Sequence, residues 1–407
     1  MKKKTFLFAL IATMVIGAVV IAGCAAPAPR GQAEVVQHRA NIPTVYFIRA
    51  AHGVPLADNV ANYLIKLFNQ LDPQDLSAMR VAVNVHGGET YHGDPAGFFL
   101  PHTVLGGFLD YISDLTGGNM AVVETNVAYT GPGFTGVTYR GVYSTHRDVL
   151  QAHFPRWPVD ILDGDGEETQ IPVRVGRRFP DGVWVGSRLF NYDFVINLSH
   201  FTGHTMSGFG GAIKNMGLGM ASIRGKNYAH TSGLHGTSFF LPAGFQTPAG
   251  RPLHTTAGFQ EALSETALAV YDVLGGRILH ITVLNNLARE CDCAPGIWGL
   301  QSRPDIYDIG IVASWDPVAL DQATMDLIWA ANRTQPLRTS VTPGGLATVR
   351  ASSDAVVASA QAAGVRSDGA GAAILNYFAH HRGQWKLDWG QRIGLGSTEY
   401  VLVTLNP

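Results

Sequence analysis

Residues 194–226 read FVINLSHFTGHTMSGFGGAIKNMGLGMASIRGK: an apolar run opens into a glycine-rich segment. From Leu198 to Lys226 the segment holds seven glycines, two histidines four apart (His200 and His204), Lys214 and Asn215. Phe194–Leu198 predicts a strand, and the polar residues begin where it stops. The pattern recurs along the chain. Strands are predicted at Thr44–Ile48, Arg80–Val85, Met120–Glu124, Val159–Leu162, Ile278–Leu284, Ile309–Ala313 and Tyr400–Leu405. Helical spacing occupies Ala57–Leu71, Thr103–Asp114, a stretch ending at Val149–His153, Phe259–Leu274, Ala351–Ala363 and Gly371–His380. Asp316-Pro317 opens one more helix, through Ala330, because aspartate caps and proline suits the first turn. Alternating strands and helices predict an α/β fold, with a parallel or mixed sheet and helices on both faces. No internal repeat is visible, and Asn332–Ala351 is the expected long surface connection.

In such sheets ligands bind beyond the carboxyl ends of the strands. His86-Gly87-Gly88-Glu89, with His92, follows Val85; Glu124-Thr125-Asn126 follows Val123; Ser199 to His204 follows Leu198; Asn285-Asn286 follows Leu284. Strand ends collect polar residues in any protein, so the convergence counts for more than any one histidine. His38, His102, His153, His254, His280 and His380 are read as structural.

The glycines match no nucleotide signature. Gly208-Phe209-Gly210-Gly211-Ala212-Ile213 lacks the last glycine of G-x-G-x-x-G, and no G-K-[ST] follows. Glycines still permit positive φ and close backbone approach, and successive N–H groups form anion nests. Gly208, Gly210, Gly211 and Asn215 are therefore candidate ligand-binding residues, with Lys214 supplying a positive charge. A helix would place His200 and His204 on one face, but Gly203 and the glycines after it favour a loop. A buried structural turn is the alternative.

The chain opens with MKKKTFLFALIATMVIGAVVIAGC, a basic start, an apolar middle and small residues. That is the layout of a secretory leader, slightly short of the ~20 apolar residues of a membrane span. Ile21-Ala22-Gly23-Cys24 resembles a bacterial lipobox, which implies cleavage before Cys24 and lipidation of its thiol. An uncleaved anchor with a chance cysteine is the alternative. Residues 1–23 are thus read as leader and 24–41, with its Ala25-Ala26-Pro27-Ala28-Pro29 start, as tether. Residues 42–407 form the domain, with 227–258 the place where two lobes would divide. The expected location is the cell envelope, lipid-anchored and outside the cytoplasm. Once Lys2, Lys3 and Lys4 leave, 26 basic residues face 31 acidic ones. A mildly acidic protein carries no electrostatic footprint for nucleic acid.

Beyond Cys24 the cysteines are Cys291 and Cys293, in Glu290-Cys291-Asp292-Cys293. In extended backbone both would face one side. Two thiols are too few for an iron–sulfur cluster in one chain, whereas a single metal ion with added histidine or carboxylate is chemically sound. A strained disulfide or two buried thiols remain open.

These residues carry a resemblance. The chain resembles the domain-of-unknown-function 362 family, whose members are often labelled iron–sulfur-centre proteins, from about Ile42 onward. The matching blocks are Val81–Glu89, Glu124–Asn126, Ser199–Lys226, Cys291–Cys293 and Asp308–Gln322. The block around Lys214 is the most specific. Two departures matter. Many relatives have lysine where this chain has Asn84, and many carry a two-cluster ferredoxin insert where Asn227–Gly258 here contains no cysteine. The iron–sulfur label therefore does not transfer, and no cluster is expected.

Two functions follow as expectations. One is an extracytoplasmic enzyme with a metal or redox site, served by a redox partner protein. His86, His200, His204, Cys291 and Cys293 are its candidate ligands, and Lys214, Glu124 and Asp292 its catalytic candidates. The other is a lipoprotein that binds a small anionic ligand without chemistry. A scaffold that keeps the fold as a partner-binding surface is a third.

Overall fold

Parallel strands covered on both faces need apolar side chains in continuous runs, and the runs named above supply them. The computed structural model describes residues 42–50, 56–86, 102–126, 150–204, 206–238, 241–285, 287, 308–331 and 383–407. Its main sheet has eight strands. In chain order they are β1 (Thr44–Arg49), β2 (Val81–Val85), β3 (Met120–Glu124), β4 (Val159–Ile161), β7 (Phe194–His200), β10 (Ile278–Leu284), β11 (Gly310–Ser314) and β12 (Val401–Leu405). Across the sheet the order is β12-β1-β11-β10-β7-β2-β3-β4. Every neighbouring pair is parallel except those made by β11, which is antiparallel to both β1 and β10. The sheet is therefore mixed, with seven strands ending at one edge. Two hairpins stand outside it: β5 (Glu168–Ile171) with β6 (Val183–Gly186), and β8 (Thr202–His204) with β9 (Gly208–Gly210).

Helices cover both faces. On one face, Leu64, Leu67 and Phe68 of α1 (Val60–Gln70) and Leu105, Phe108 and Ile112 of α2 (His102–Leu115) pack on Val81, Val83, Ile196 and Ile281. The other face carries α3 (Ala212–Gly219), α4 (Ile223–His230), α5 (Thr256–Val273), α6 (Pro317–Ala331) and α7 (Gly383–Arg392). Their apolar residues share a core with Ala82, Val123, Val195 and Val312. Alternate residues of β2 thus face opposite cores, as strand geometry requires. The caps are local. Asp316 Oδ1 accepts the amides of Val318 and Ala319 at 2.9 Å each, which starts α6. Ser222 and Thr255 cap α4 and α5 in the same way. Among the described residues, no helix is long and apolar enough to cross a membrane.

Several expectations need correction. The segment after Gly203 is not a loop: it forms the β8–β9 hairpin and then α3, all eight of whose residues are buried. Its glycines serve packing. A Cβ on Gly217 would lie 2.7 Å from the carbonyl oxygen of Leu263, so glycine lets α3 press onto α5. Strand β7 runs two residues past Leu198, taking in Ser199 and His200. The β5–β6 hairpin and α7 were not foreseen. Residues 150–153 are helical, as expected. The helices expected at Ala351–Ala363 and Gly371–His380, and the connection at Asn332–Ala351, lie outside the described residues.

Candidate functional site

Strand register decides which polar groups meet. Asn84 lies opposite Val123, Val85 opposite Leu198, and His200 opposite Val283. His86, Glu124, His200 and Asn285 therefore end β2, β3, β7 and β10 at the same edge of the sheet. His200 Nε2 donates to the carbonyl oxygen of Asn285 at 2.6 Å, which leaves Nδ1 as the basic nitrogen of the neutral ring. Glu124 Oε2 accepts the Thr125 amide at 2.7 Å.

Beneath α3 a buried network joins three strands to that helix. Asn197 Oδ1 accepts from Asn84 Nδ2 at 3.1 Å and from Asn215 Nδ2 at 2.8 Å. Asn197 Nδ2 donates to the carbonyl of Ala212 at 2.9 Å and lies 3.0 Å from His280 Nδ1. Asn215 is thus a framework residue holding α3 to β2 and β7. His280, read as structural, is completely buried, and burial pushes its pKa down to about 3, so it stays neutral.

Lys226 and two carboxylates gather at the end of β3. Lys226 Nζ donates to the Asn126 carbonyl at 2.5 Å. Asp163 accepts the amides of Asn126 (2.7 Å) and Ile223 (3.1 Å). Burial lowers the pKa of Lys226, opposed by the charges of Glu124 and Asp163. Burial likewise raises that of Asp163, opposed by Lys226. His230 Nδ1 donates to the carbonyl of Lys226 at 2.7 Å. Burial first, then the Lys214 and Lys226 charges, bring its pKa down to about 3, against the pull of that hydrogen bond.

The glycine segment has its own occupant. Asp321 of α6 accepts the amides of Ala212 at 2.7 Å and Ile213 at 3.1 Å, at the amino end of α3. Gly211, the residue before α3, is glycine for that reason: a Cβ there would lie 2.4 Å from Asp321 Oδ1. Lys386 of α7 balances the buried carboxylate. Its Nζ donates to the Phe209 carbonyl at 3.0 Å and sits 3.5 Å from the centre of the Phe209 ring. Burial lowers the pKa of Lys386 to about 7, against the pull of Asp321. Gly208 adopts φ of 78°, a left-handed conformation that glycine reaches without strain.

His204 ends β8. Its Nδ1 accepts the amides of Met206 at 3.1 Å and Ser207 at 3.0 Å, so the neutral ring carries its proton on Nε2. In that tautomer neither nitrogen presents a lone pair to a metal. His204 and His230 both pack on Phe259, at 6.1 and 4.7 Å between ring centres. Lys214 is buried on α3. Among the described residues no three His, Cys, Asp or Glu side chains are grouped to hold a metal ion. Cys291, Asp292 and Cys293, with Cys24, lie outside the described residues. A cleft of about 840 Å³ lies at the opposite edge, lined by Tyr46, Gln70, Arg174, Tyr271 and Trp315 among others. None of the residues singled out above as site candidates lines it.

Several residues escaped the sequence reading. Asp163 and His230 carry no motif, and Lys386 is an isolated lysine in a tryptophan-rich helix. Lysine scarcity was a usable signal: only Lys66, Lys214, Lys226 and Lys386 follow the first four residues, and three of these four are buried.

Fold and edge together define an α/β protein whose polar groups collect beyond the carboxyl ends of parallel strands. The family model for a domain of unknown function, DUF362, matches residues 81–326, and the chain belongs to that family. The match runs from the first residue of β2 into α6, and so spans the strand ends, the glycine segment and Asp321. No curated protein matches the chain.

Proposed function

We propose that this chain is a lipid-anchored protein of the cell envelope whose DUF362 domain takes a small anionic ligand at the carboxyl edge of its sheet and acts on it by proton transfer. The carrying observation is the buried group Lys226, Glu124 and Asp163 beside His230 at the end of β3. A buried lysine and a buried carboxylate that shift each other, as Lys226 and Asp163 do, are how active sites tune proton transfer. The lipobox-like Ile21–Cys24 supports the anchor.

A metal or redox site is the second reading. His86 and His200 end adjacent strands, and Cys291 and Cys293 follow β10, which ends at the same edge. His86, His200 and the two cysteines would hold a single ion, and that ion would act as a Lewis acid or electron carrier.

Native mass spectrometry of anaerobically purified protein, with metal analysis, tests both readings. The first expects a co-purifying small anion without stoichiometric metal. The second expects one metal per chain. Protein that carries no ligand, no metal and shows no response to added anions sinks the first reading.

A further inference from the structure

The cleft at the opposite edge of the sheet takes no part in the function proposed above, and its lining has a consistent chemistry. Its volume of about 840 Å³ lies within the roughly 300–1,000 Å³ of sites that enclose small ligands. The walls come from the amino end of β1, the carboxyl end of β11, and the ends of α1 and α5. Three aromatic rings line it: Tyr46, Tyr271 and Trp315. Trp315 stands edge-on to Phe194, at 6.0 Å and 82°, and its Nε1 donates to the carbonyl of Leu71 at 3.2 Å. With its one donor spent and 36% of the residue exposed, it offers a ligand ring surface alone. The charged groups are spent too. Arg174 Nε donates to Asp272 at 2.8 Å and its Nη2 to the carbonyl of Gly394 at 2.9 Å. Asp316 accepts the amides of Val318, Ala319 and Ser397, each at 2.9 Å. What remains is neutral. The hydroxyls of Tyr46 and Tyr271 and the side-chain amide of Gln70 make no hydrogen bond among the described residues. Burial and the charges of Asp316 and Asp272 raise the pKa of Tyr271, so its hydroxyl keeps a proton to donate.

We infer that this cleft binds a neutral saccharide, with its ring faces against Trp315 and the two tyrosines and its hydroxyls on Tyr46, Tyr271 and Gln70. A pyranose ring has apolar C–H faces and a rim of hydroxyls, which matches aromatic surface interspersed with neutral donors and acceptors. An anion would meet Asp316 and an arginine already held by Asp272, and a cation would meet that arginine. An apolar chain would cover the tyrosine hydroxyls without pairing them. The site stands apart from the carboxyl edge and does not depend on the function proposed there.

Isothermal titration calorimetry of the native protein tests this with cellotriose, maltotriose and chitotriose, and with choline chloride and sodium acetate as the charged alternatives. At least one trisaccharide should bind saturably at millimolar concentration or below, and neither ion should. Tyr46→Phe and Tyr271→Phe keep the rings and remove one hydroxyl each. Each should weaken binding by about two- to tenfold and leave the melting temperature at the wild-type value. Trp315→Leu should abolish binding; because it also removes the Leu71 contact, the two tyrosine variants carry the decision. A saccharide that binds both tyrosine variants as tightly as wild type is held elsewhere and overturns the assignment. So does the absence of saturable binding by all three sugars, or tighter binding of choline or acetate.

Discussion

The carboxylate of Asp321 lies 2.7 Å from the amide nitrogen of Ala212, 109 positions earlier in the chain. This contact ties the start of α3 to α6, and Lys386 of α7 compensates the buried charge. Three elements far apart in sequence thus hold the glycine segment in place. Removing one partner of a buried pair leaves an uncompensated charge. Asp321→Ala should therefore lower the unfolding free energy by about 3–5 kcal/mol. Asp321→Asn should cost less, because its amide oxygen still accepts from α3. Gly211→Ala should also destabilise, by roughly 1–3 kcal/mol, since its Cβ would strike the carboxylate. Urea unfolding followed by circular dichroism measures all three. An Asp321→Ala protein within about 1 kcal/mol of wild type would remove the cap from the account of the fold.

Acid should weaken the fold through its buried imidazoles. His230 and His280 have folded pKa values brought from 6.5 down to about 3 by burial. Between these values the unfolded chain binds protons that the native state refuses. The stability these two imidazoles contribute is therefore full above about pH 6.5 and is lost as the pH falls toward 3, opposed below pH 7 by Glu265, whose pKa burial raises to about 7. His280→Leu removes one titrating group. It should cost about 1 kcal/mol at pH 7 through the lost Asn197 contact, yet lose less than wild type between pH 7 and pH 4. Parallel pH profiles of the two proteins would deny that burial of His280 drives the acid loss.

The legible part of the fold is the part decided locally. Strands β2, β3 and β10 are unbroken apolar runs because both their faces are buried, and their predicted spans match within a residue. The shared edge of His86, Glu124 and His200 then follows from parallel pairing alone. Helix α3 was not legible. Its sequence AIKNMGLG carries two glycines, and what holds it is a cap from α6 and a glycine contact with α5. Helix α7 hides for a similar reason, since its Lys386 is buried against Phe209 and no local pattern announces a buried lysine.

Lys226 is buried within reach of the charges of Glu124 and Asp163. Those charges hold its pKa up against burial, its own charge lowers that of Asp163, and its ammonium donates to the Asn126 carbonyl. Lys226→Met keeps the stem and removes the charge. The variant should lose about 3–5 kcal/mol of stability at pH 7 and recover part of it as the pH falls and a carboxylate takes up a proton. His230 should follow in proton exchange monitored by nuclear magnetic resonance, because the Lys226 charge helps hold its pKa down. A variant that is stable at pH 7, with His230 unchanged, would leave Lys226 no part in tuning this edge.

In the proposed lipoprotein, anchoring hangs on one atom, the Cys24 thiol. The run before it is slightly short for a comfortable span, so membrane attachment of the mature chain would depend on acyl chains. Each buried methylene adds about 0.8 kcal/mol, and one chain alone gives only reversible binding. Cys24→Ala should therefore block acylation and processing together. The unprocessed chain would keep residues 1–23, whose apolar run from Phe6 to Ala22 can itself hold it in the membrane, so mass is the deciding readout. Fractionation and intact mass are the two readouts. Wild type should be found in the membrane fraction with a mass that reflects loss of the leader and gain of lipid. The variant should show neither mass change. If wild type and variant differ in mass only by the substituted side chain, Cys24 carries no lipid and the apolar leader itself is the anchor.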